Sequence, residues 1–271
     1  CTAKDEPFFA VVWDGSPHKP FRARPEDRKG FEQLDRASQQ HYGELVAFDR
    51  SVGTLRKGLR ELEIADDTIV WYCSDNGGLP GVKPETVGGL RGFKGSTWEG
   101  GVRVPGIIEW PAKIKPRVTD HPASTMDIFP TLVSLLDLPD SSMLEPVDGA
   151  SLTGVFARDP DRRSKPIGFR FRDEGAWIDN EWKLVKAKGS AGAWMLVNLA
   201  DDPSEQNDLK DQHPERYEAM KTAYDRWAES VKASVAGKDY PEGQVRPTPD
   251  RRSWKDVPEY QQFRQKNLRN R

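Results

Sequence analysis

The chain has 271 residues, of which 36% are hydrophobic and 31% charged, with nine tryptophans, so it can bury a sizeable core. Its 41 Lys and Arg against 43 Asp and Glu give a formal net charge of −2. This balance lacks the strong basic excess of a nucleic-acid-binding protein. No segment approaches the roughly 18 consecutive apolar residues of a membrane helix. We therefore expect no nucleic-acid partner and no membrane span.

The first half of the chain has the pattern of an α/β domain. An apolar run at 7–13 predicts a buried strand, leucines at helical spacing predict a helix over 45–62, and the apolar run 68–73 predicts a strand. A helix followed by a fully apolar strand is typical of a parallel sheet covered by helices. The glycine-rich residues 77–101 predict a long functional loop. A strand at 104–110, a helix at 126–136 and a linker at 140–149 complete the prediction for this half.

The second half of the chain has a different hydrophobic pattern. Four short apolar runs separated by polar turns predict an antiparallel sheet: 167–171, 175–178, 181–186 and 194–199. Aromatic and apolar residues from 217 to 231 recur at helical spacing and predict a helix. The last residues are rich in proline and then in basic residues, which predicts an extended tail.

Two cysteines, Cys1 and Cys73, exclude a disulfide framework as the main source of stability. The charged first residues lack the apolar stretch of a signal peptide, and the chain has no initiator methionine. We therefore expect that it begins inside a longer protein.

The first chemical signal is the segment Ser-Asp-Asn-Gly-Gly at 74–78, directly after an apolar strand. Ligands of open α/β sheets bind beyond the carboxyl ends of strands. The neighbouring carboxylate of Asp75 and amide of Asn76 offer hard oxygen ligands for calcium or magnesium. The same residues also suit a plain turn, so both interpretations stay open at this point.

Two further segments carry candidate site residues. Pro-His-Lys-Pro at 17–20 would hold His18 in a rigid loop, as suits a proton donor or an oxyanion ligand, or would be only a surface loop. Lys94 lies beside a glycine in the segment Lys-Gly-Ser-Thr-Trp-Glu-Gly-Gly at 94–101, where it can approach one oxygen of a sulfate or phosphate, or remain solvated.

The order of these motifs resembles the type I sulfatase family of the alkaline-phosphatase-like superfamily. The resemblance is carried by Pro-His-x-Pro, then Ser-Asp-Asn-Gly-Gly, then Lys-Gly-x-x-x-Glu-Gly-Gly-x-Arg-Val-Pro. The later segment at 196–209, Leu-Val-Asn-Leu-x-x-Asp-Pro-x-Glu-x-x-Asp-Leu, is similar to the small C-terminal subdomain of that family.

By this resemblance, Asp75 and Asn76 are ligands of one calcium ion that holds the sulfate. Lys94 contacts a sulfate oxygen, and His18 contacts the sulfate and helps to protonate the departing alcohol. The substrate is a sulfate-ester small molecule or a sulfated glycan, and the protein is exported to a periplasm, a lysosome or the outside.

The family's nucleophile is a formylglycine made from a cysteine in a Cys-x-Pro/Ala-x-Arg motif. Cys1 matches this motif only superficially, because Asp5 stands where the motif has arginine. We therefore expect the formylglycine and the remaining calcium ligands in a missing N-terminal segment of the same protein, and no turnover by these residues alone. The alternatives are a phosphodiesterase or phosphonate hydrolase of the same superfamily, and a non-catalytic sulfated-glycan-binding protein.

The resulting fold prediction is an incomplete alkaline-phosphatase-like α/β domain with a mixed sheet covered by helices, followed by a small α+β subdomain with an antiparallel sheet. We assign residues 1–150 to the C-terminal part of the catalytic domain. Residues 160–235 form the small subdomain, and 236–271 form the extended basic tail.

Overall fold

The computed structural model describes residues 6–240, 243 and 258, which fall into two compact units divided after Ala228. Cys1, Asp5 and nearly all of the predicted basic tail beyond residue 240 lie outside the described residues. In the part of the chain that is described, no helix combines the length and the apolar character needed to cross a bilayer.

Helices and strands occur along the described chain in two groups. The helices and strands up to residue 135 are α1 (Arg36–Glu61), β1 (Val70–Cys73), α2 (Glu99–Val102), β2 (Gly106–Glu109) and α3 (Ile128–Leu135). The later group contains β3 (Ile167–Phe171), β4 (Glu174–Asp179), β5 (Trp182–Lys186), β6 (Met195–Asn198) and α4 (Pro214–Val235). The mixed α/β class predicted from the sequence is confirmed.

The helix predicted over 45–62 is confirmed as part of α1, which begins earlier. The carboxylate of Asp35 accepts hydrogen bonds from the backbone N–H groups of Ala37 (3.0 Å) and Ser38 (3.1 Å), so it caps the helix N-terminus. Much of the leucine stripe of α1 is exposed, with Leu45 37% and Leu55 44% accessible, while Leu59 is buried. An amphipathic helix with its apolar face open is typical of a helix whose packing partner lies elsewhere.

The strand at 68–73 is confirmed as β1, but its neighbour in the described chain is antiparallel. Strand β1 pairs with β2 in a two-stranded sheet, with Val70 opposite Glu109 and Cys73 opposite Gly106. The prediction of a parallel neighbour is therefore not met within residues 6–240. Two strands alone bury little, and all four residues of β1 remain half-buried.

The prediction of a buried strand at 7–13 is wrong for the described residues. This segment is irregular and exposed, with Phe9 76% and Trp13 93% accessible. A strand needs a neighbour for its backbone groups and a layer to cover its side chains. The described part of the chain supplies neither to residues 7–13.

The antiparallel sheet of the second half is confirmed, with strand order β3-β4-β5-β6. Tight turns join β3 to β4 and β4 to β5, and they include Arg172 and Asn180 with positive φ angles of 57° and 55°. One sheet face packs against α4 in a cluster of large side chains. This cluster contains Trp177, Trp182, Leu184, Leu196, Met220 and Tyr224. The predicted helix at 217–231 is likewise confirmed as part of α4.

A buried ion pair fixes the segment between α3 and the antiparallel sheet. The guanidinium of Arg163 donates two hydrogen bonds of 2.7 Å to the carboxylate of Asp127, and both side chains are essentially inaccessible. Asp127 also accepts the backbone N–H groups of Ser124 (2.7 Å) and Ala150 (2.8 Å). The carboxylate therefore joins the start of α3, the end of the predicted linker at 140–149 and the entry to β3.

Candidate functional site

The turn at 74–78 lies directly after β1. It contacts the far end of the glycine-rich loop, near residues 100 and 101. The backbone N–H of Gly77 donates to the carbonyl oxygen of Gly101 at 2.9 Å. A Cβ atom on Gly77 would lie 2.0 Å from the carbonyl oxygen of Gly100, which is far inside van der Waals contact. Glycine is therefore required at position 77 for the two segments to approach this closely.

Asp75 and Asn76 offer their oxygens at the surface of this turn. Asp75 is exposed and Asn76 half-buried, and the Asn76 amide nitrogen donates to one carboxylate oxygen of Asp75 at 2.6 Å. The pair supplies a carboxylate and an amide oxygen side by side, which is the ligand chemistry that calcium prefers.

The residues that the structure describes do not by themselves form a complete calcium site. Calcium takes about six to eight oxygen ligands. Within residues 6–240, 243 and 258, no group of three or more His, Cys, Asp and Glu side chains converges in a way that could hold a metal ion. Asp75 and Asn76 therefore fit as two ligands of a site that needs further oxygens from other polypeptide, substrate or water.

A backbone hydrogen bond holds Lys94 next to this turn. Its N–H group donates to the carbonyl oxygen of Gly78 at 2.9 Å, and its side chain is half-buried. The following Gly95 has a φ angle of +84°, which permits a sharp change in chain direction. The structure thus brings the Lys94 loop and the Asp75–Asn76 turn together, as a shared anion and cation site requires.

His18 lies in a separate turn. Its backbone N–H donates to Gly15 at 3.1 Å, and its ring atom Nδ1 lies 2.7 Å from the carbonyl oxygen of Lys19. A carbonyl oxygen only accepts, so Nδ1 carries a proton and Nε2 is the ring atom left for other partners. No hydrogen bond or ion pair joins His18 to Asp75, Asn76 or Lys94 within residues 6–240.

Polar side chains of α1 hold the segment that follows His18. Glu44 accepts the backbone N–H of Arg22, and Gln40 accepts that of Ala23 at 2.7 Å. His41 is buried beneath the same segment with its ring 5.2 Å from that of Phe21. Burial lowers the pKa of His41, while a hydrogen bond to the Pro17 backbone acts in the opposite direction. His41 thus packs against the segment that carries His18. The sequence around His41 did not indicate this role.

The far end of the Lys94 loop is anchored on the antiparallel sheet. Trp98 is only 3% exposed, packs against Val185 and Val197, and donates its indole N–H to the carbonyl oxygen of Lys188 at 2.9 Å. The guanidinium of Arg91 lies 3.7 Å from the Trp98 ring centroid, a cation–π contact. The loop is therefore fixed by the sheet face opposite to α4.

A buried charge cluster lies beneath this anchor. Lys183 is the second residue of β5, and its ammonium lies 2.9 Å from a carboxylate oxygen of Glu99 and 2.8 Å from one of Glu205. Sequence reasoning missed all three residues as functional candidates. A lysine between apolar residues in the run Trp-Lys-Leu-Val is the signal that could have found them, because a buried strand position rarely holds an unpaired charge.

The comparisons with known proteins agree with this geometry. The family model described as Sulfatase matches residues 2–138, which is half of the chain and includes both the turn at 74–78 and the Lys94 loop. An N-acetylgalactosamine-6-O-sulfatase of Bacteroides thetaiotaomicron is 28% identical over 239 residues, covering 78% of this chain and 45% of the relative. Human arylsulfatase A is 34% identical over 145 residues, covering 50% of this chain and 26% of the relative.

A solved structure extends the similarity to the antiparallel sheet. The crystal structure of Ps i-CgsB superimposes with a TM-score of 0.74 at 26% identity, covering 86% of this chain and 55% of that protein. The chain spans less than half the length of the curated relatives named above. The matched family model, which spans half of the chain, shows that the chain belongs to the sulfatase family.

Proposed function

We propose that the protein hydrolyses a sulfate ester and that this chain supplies the part of the site that binds the sulfate. The observation that carries this proposal is the hydrogen bond from the Lys94 backbone to Gly78, which joins a lysine loop to a carboxylate–amide turn. A sulfate ester needs both an oxygen-bound cation and a hydrogen-bond donor of positive charge. These two segments offer them within the region that matches the sulfatase family model.

The chemistry assigns one task to each side chain. In the reaction, a nucleophile attacks sulfur, the bond from sulfur to the alcohol oxygen breaks, and negative charge develops on the sulfate oxygens and the leaving oxygen. The Lys94 ammonium stabilises that charge, and His18, acting as the imidazolium with both ring nitrogens protonated, donates its Nε2 proton to the departing alcohol and keeps the proton on Nδ1. Asp75 and Asn76 hold one calcium ion, which acts when bound as a Lewis acid toward the sulfate oxygens.

The nucleophile and the remaining calcium ligands come from a preceding segment of the same protein. We expect a formylglycine there, and we expect the described chain to be inactive alone. Apolar side chains exposed in the described residues support such a partner, among them Phe9 and Trp13 near the His18 turn and Leu55 on α1. Apolar patches exposed on a protein surface often mark an interaction site.

A sulfated carbohydrate is the proposed substrate class. The Bacteroides relative is an N-acetylgalactosamine-6-O-sulfatase. Ps i-CgsB was solved in complex with a neocarrahexaose, and that complex superimposes with a TM-score of 0.70 at 26% identity. Sulfated polysaccharides occur outside cells, so we propose an exported protein acting in a periplasm, a lysosome or the surroundings.

The test uses the natural gene product that contains this chain. Sulfate release from sulfated saccharides and from an aryl sulfate is measured with calcium and with a chelator, next to hydrolysis of a phosphodiester and a phosphonate monoester. We expect sulfate release that calcium removal abolishes. Faster cleavage of the phosphorus esters would favour the phosphodiesterase or phosphonate hydrolase alternative, and calcium-dependent glycan binding without cleavage would favour the binding protein.

A variant pair makes the test specific to the site. Lys94→Ala is expected to lower kcat/KM by about 10²–10³-fold, the usual effect of losing one group that stabilises developing charge, whereas Lys113→Ala changes it by less than about twofold. Lys113 is the matched control because it is an exposed lysine in a turn away from residues 74–101. Equal activity of the two variants would contradict the assignment of Lys94.

A further inference from the structure

Lys183, Glu99 and Glu205 form a cluster of three ionisable side chains that is almost completely buried. The three side chains are 0%, 5% and 0% accessible, and they lie between the antiparallel sheet and the Lys94 loop. Moving each ion out of water costs several kcal/mol, and replacing such a cluster by apolar residues of similar size often leaves stability unchanged or improves it. Stability alone therefore does not explain the cluster.

Glu205 contacts both ends of the loop that carries Lys94. Its backbone carbonyl accepts a hydrogen bond of 2.7 Å from the Arg91 guanidinium, at the start of the loop. Its carboxylate accepts one of 2.6 Å from the backbone N–H of Glu99, at the end of the loop. The two ends also bond directly, since the N–H of Gly100 donates to the carbonyl oxygen of Arg91 at 2.7 Å. Lys94 lies between these fixed points.

Lys183 fixes Glu205 and Glu99 relative to the sheet. Its ammonium contacts both carboxylates. Its backbone lies in β5, an inner strand of the sheet, with Lys183 opposite Ile178 of β4 and Val197 of β6. The sheet is the most completely buried part of the described chain, with Leu184, Val185 and Val197 all at 0% exposure. The cluster thus links the Lys94 loop to a rigid layer.

We propose that Lys183 and Glu205 are positioning residues for Lys94, acting through the two ends of the 91–101 loop without touching the substrate. The proposal rests on the proposed function, in which Lys94 contacts the sulfate. It predicts that removing the charge of Lys183 or Glu205 increases the motion of the 91–101 loop. The Lys94 ammonium is then displaced from the sulfate oxygens on which negative charge develops. Misplacement of a reacting group by about 1 Å can cost roughly 10²-fold in rate.

The experiment is a double-mutant cycle in the natural gene product with an aryl sulfate as substrate. Lys183→Met keeps an unbranched side chain of nearly the same length, shorter by the terminal nitrogen, and removes its charge. We expect it to lower kcat by about ten- to a hundredfold in the wild-type background and by less than about twofold in the Lys94→Ala background, because the two residues act as one unit. Glu205→Gln, which keeps the shape of the carboxylate, is expected to show the same dependence with a smaller decrease.

Asp127→Asn is the matched control, since it breaks another buried ion pair that does not contact the loop. We expect it to leave kcat unchanged at temperatures where it remains folded. Equal decreases for Lys183→Met with and without Lys94, or a decrease of the same size for Asp127→Asn, would show a general structural effect and overturn the proposal.

A second readout separates this proposal from the proposed function. Amide hydrogen exchange of residues 91–101 is measured in wild type, Lys183→Met and Asp127→Asn, with no substrate present. We expect at least about tenfold faster exchange in this loop for Lys183→Met alone. If the natural gene product cleaves no sulfate ester, the proposed function fails and exchange decides the positioning proposal. Unchanged exchange in Lys183→Met overturns it.

Discussion

The ion pair between Asp127 and Arg163 allows a quantitative prediction of stability. Asp127→Asn keeps the shape of the side chain and removes its charge, which leaves the Arg163 guanidinium buried with a neutral partner. Arg163 keeps its hydrogen bonds to the carbonyl oxygens of Lys165 and Pro122 (3.2 Å for the latter), so the guanidinium stays in place. The change therefore removes the opposite charge together with one of the two backbone hydrogen-bond acceptors of Asp127.

The expected loss of unfolding free energy follows from the burial of the pair. Both side chains are at most 1% accessible, so water cannot replace the missing charge. Removing one partner of a buried ion pair costs about 3–5 kcal/mol. The two carboxylate oxygens also accept the backbone N–H groups of Ser124 and Ala150, and an amide, which has one oxygen, keeps only one of these bonds. We therefore expect about 3–5 kcal/mol for Asp127→Asn.

Urea unfolding followed by tryptophan fluorescence measures this loss through the transition midpoint and slope. Glu61→Gln is the control, because it breaks the exposed pair with Lys57 and should cost at most about 0.5 kcal/mol. The double variant Asp127→Asn with Arg163→Met should recover part of the stability, since no charge is then left buried alone. A loss below about 1 kcal/mol for Asp127→Asn would refute this reasoning.

Three further predictions concern the site and its support. Gly77→Ala should abolish measurable sulfate-ester hydrolysis by the natural gene product, because its Cβ would meet the Gly100 carbonyl at 2.0 Å; wild-type kcat/KM in this variant would contradict the close approach. Thr131→Val should cost about 1–3 kcal/mol in urea unfolding, because the buried N–H of Leu152 loses its 2.9 Å acceptor, and the exposed change Thr54→Val serves as control. Burial lowers the pKa of His41 below its usual 6.5, so the folded state favours the neutral ring and stability falls as pH drops below about 6.5. His41→Gln should flatten that fall in urea midpoints measured across pH, and an unchanged slope in His41→Gln would contradict the buried neutral ring.

Secondary structure could be predicted from the sequence where the hydrophobic pattern of a segment agrees with its packing in the fold. The four strands of the antiparallel sheet lie close to the apolar runs that predict them. Their partner strands all come from residues 167–198, and α4 covers one face of the sheet, so the packing that the pattern requires is present. The residues of the candidate site lie in the predicted turns, since Asp-Asn-Gly-Gly and Lys-Gly need particular backbone geometry. Their roles in binding calcium and sulfate stay predictions.

The failures have a common physical cause. The apolar run at 7–13 predicts a strand only if a neighbouring strand exists, and the described chain provides none. The parallel neighbour of β1 fails for the same reason. The support from His41, Lys183 and Glu205 depends on contacts between residues far apart in sequence, which periodicity and turn chemistry do not report.

The most direct test of the central claim is a crystal structure of the natural gene product with calcium and a sulfated ligand. We predict that oxygens of Asp75 and Asn76 lie about 2.3–2.6 Å from the calcium ion. The Lys94 ammonium should lie within hydrogen-bond distance of a sulfate oxygen, and His18 Nε2 should face the ester oxygen. A calcium ion or a sulfate group bound away from the turn at 74–78 and the Lys94 loop would contradict the account.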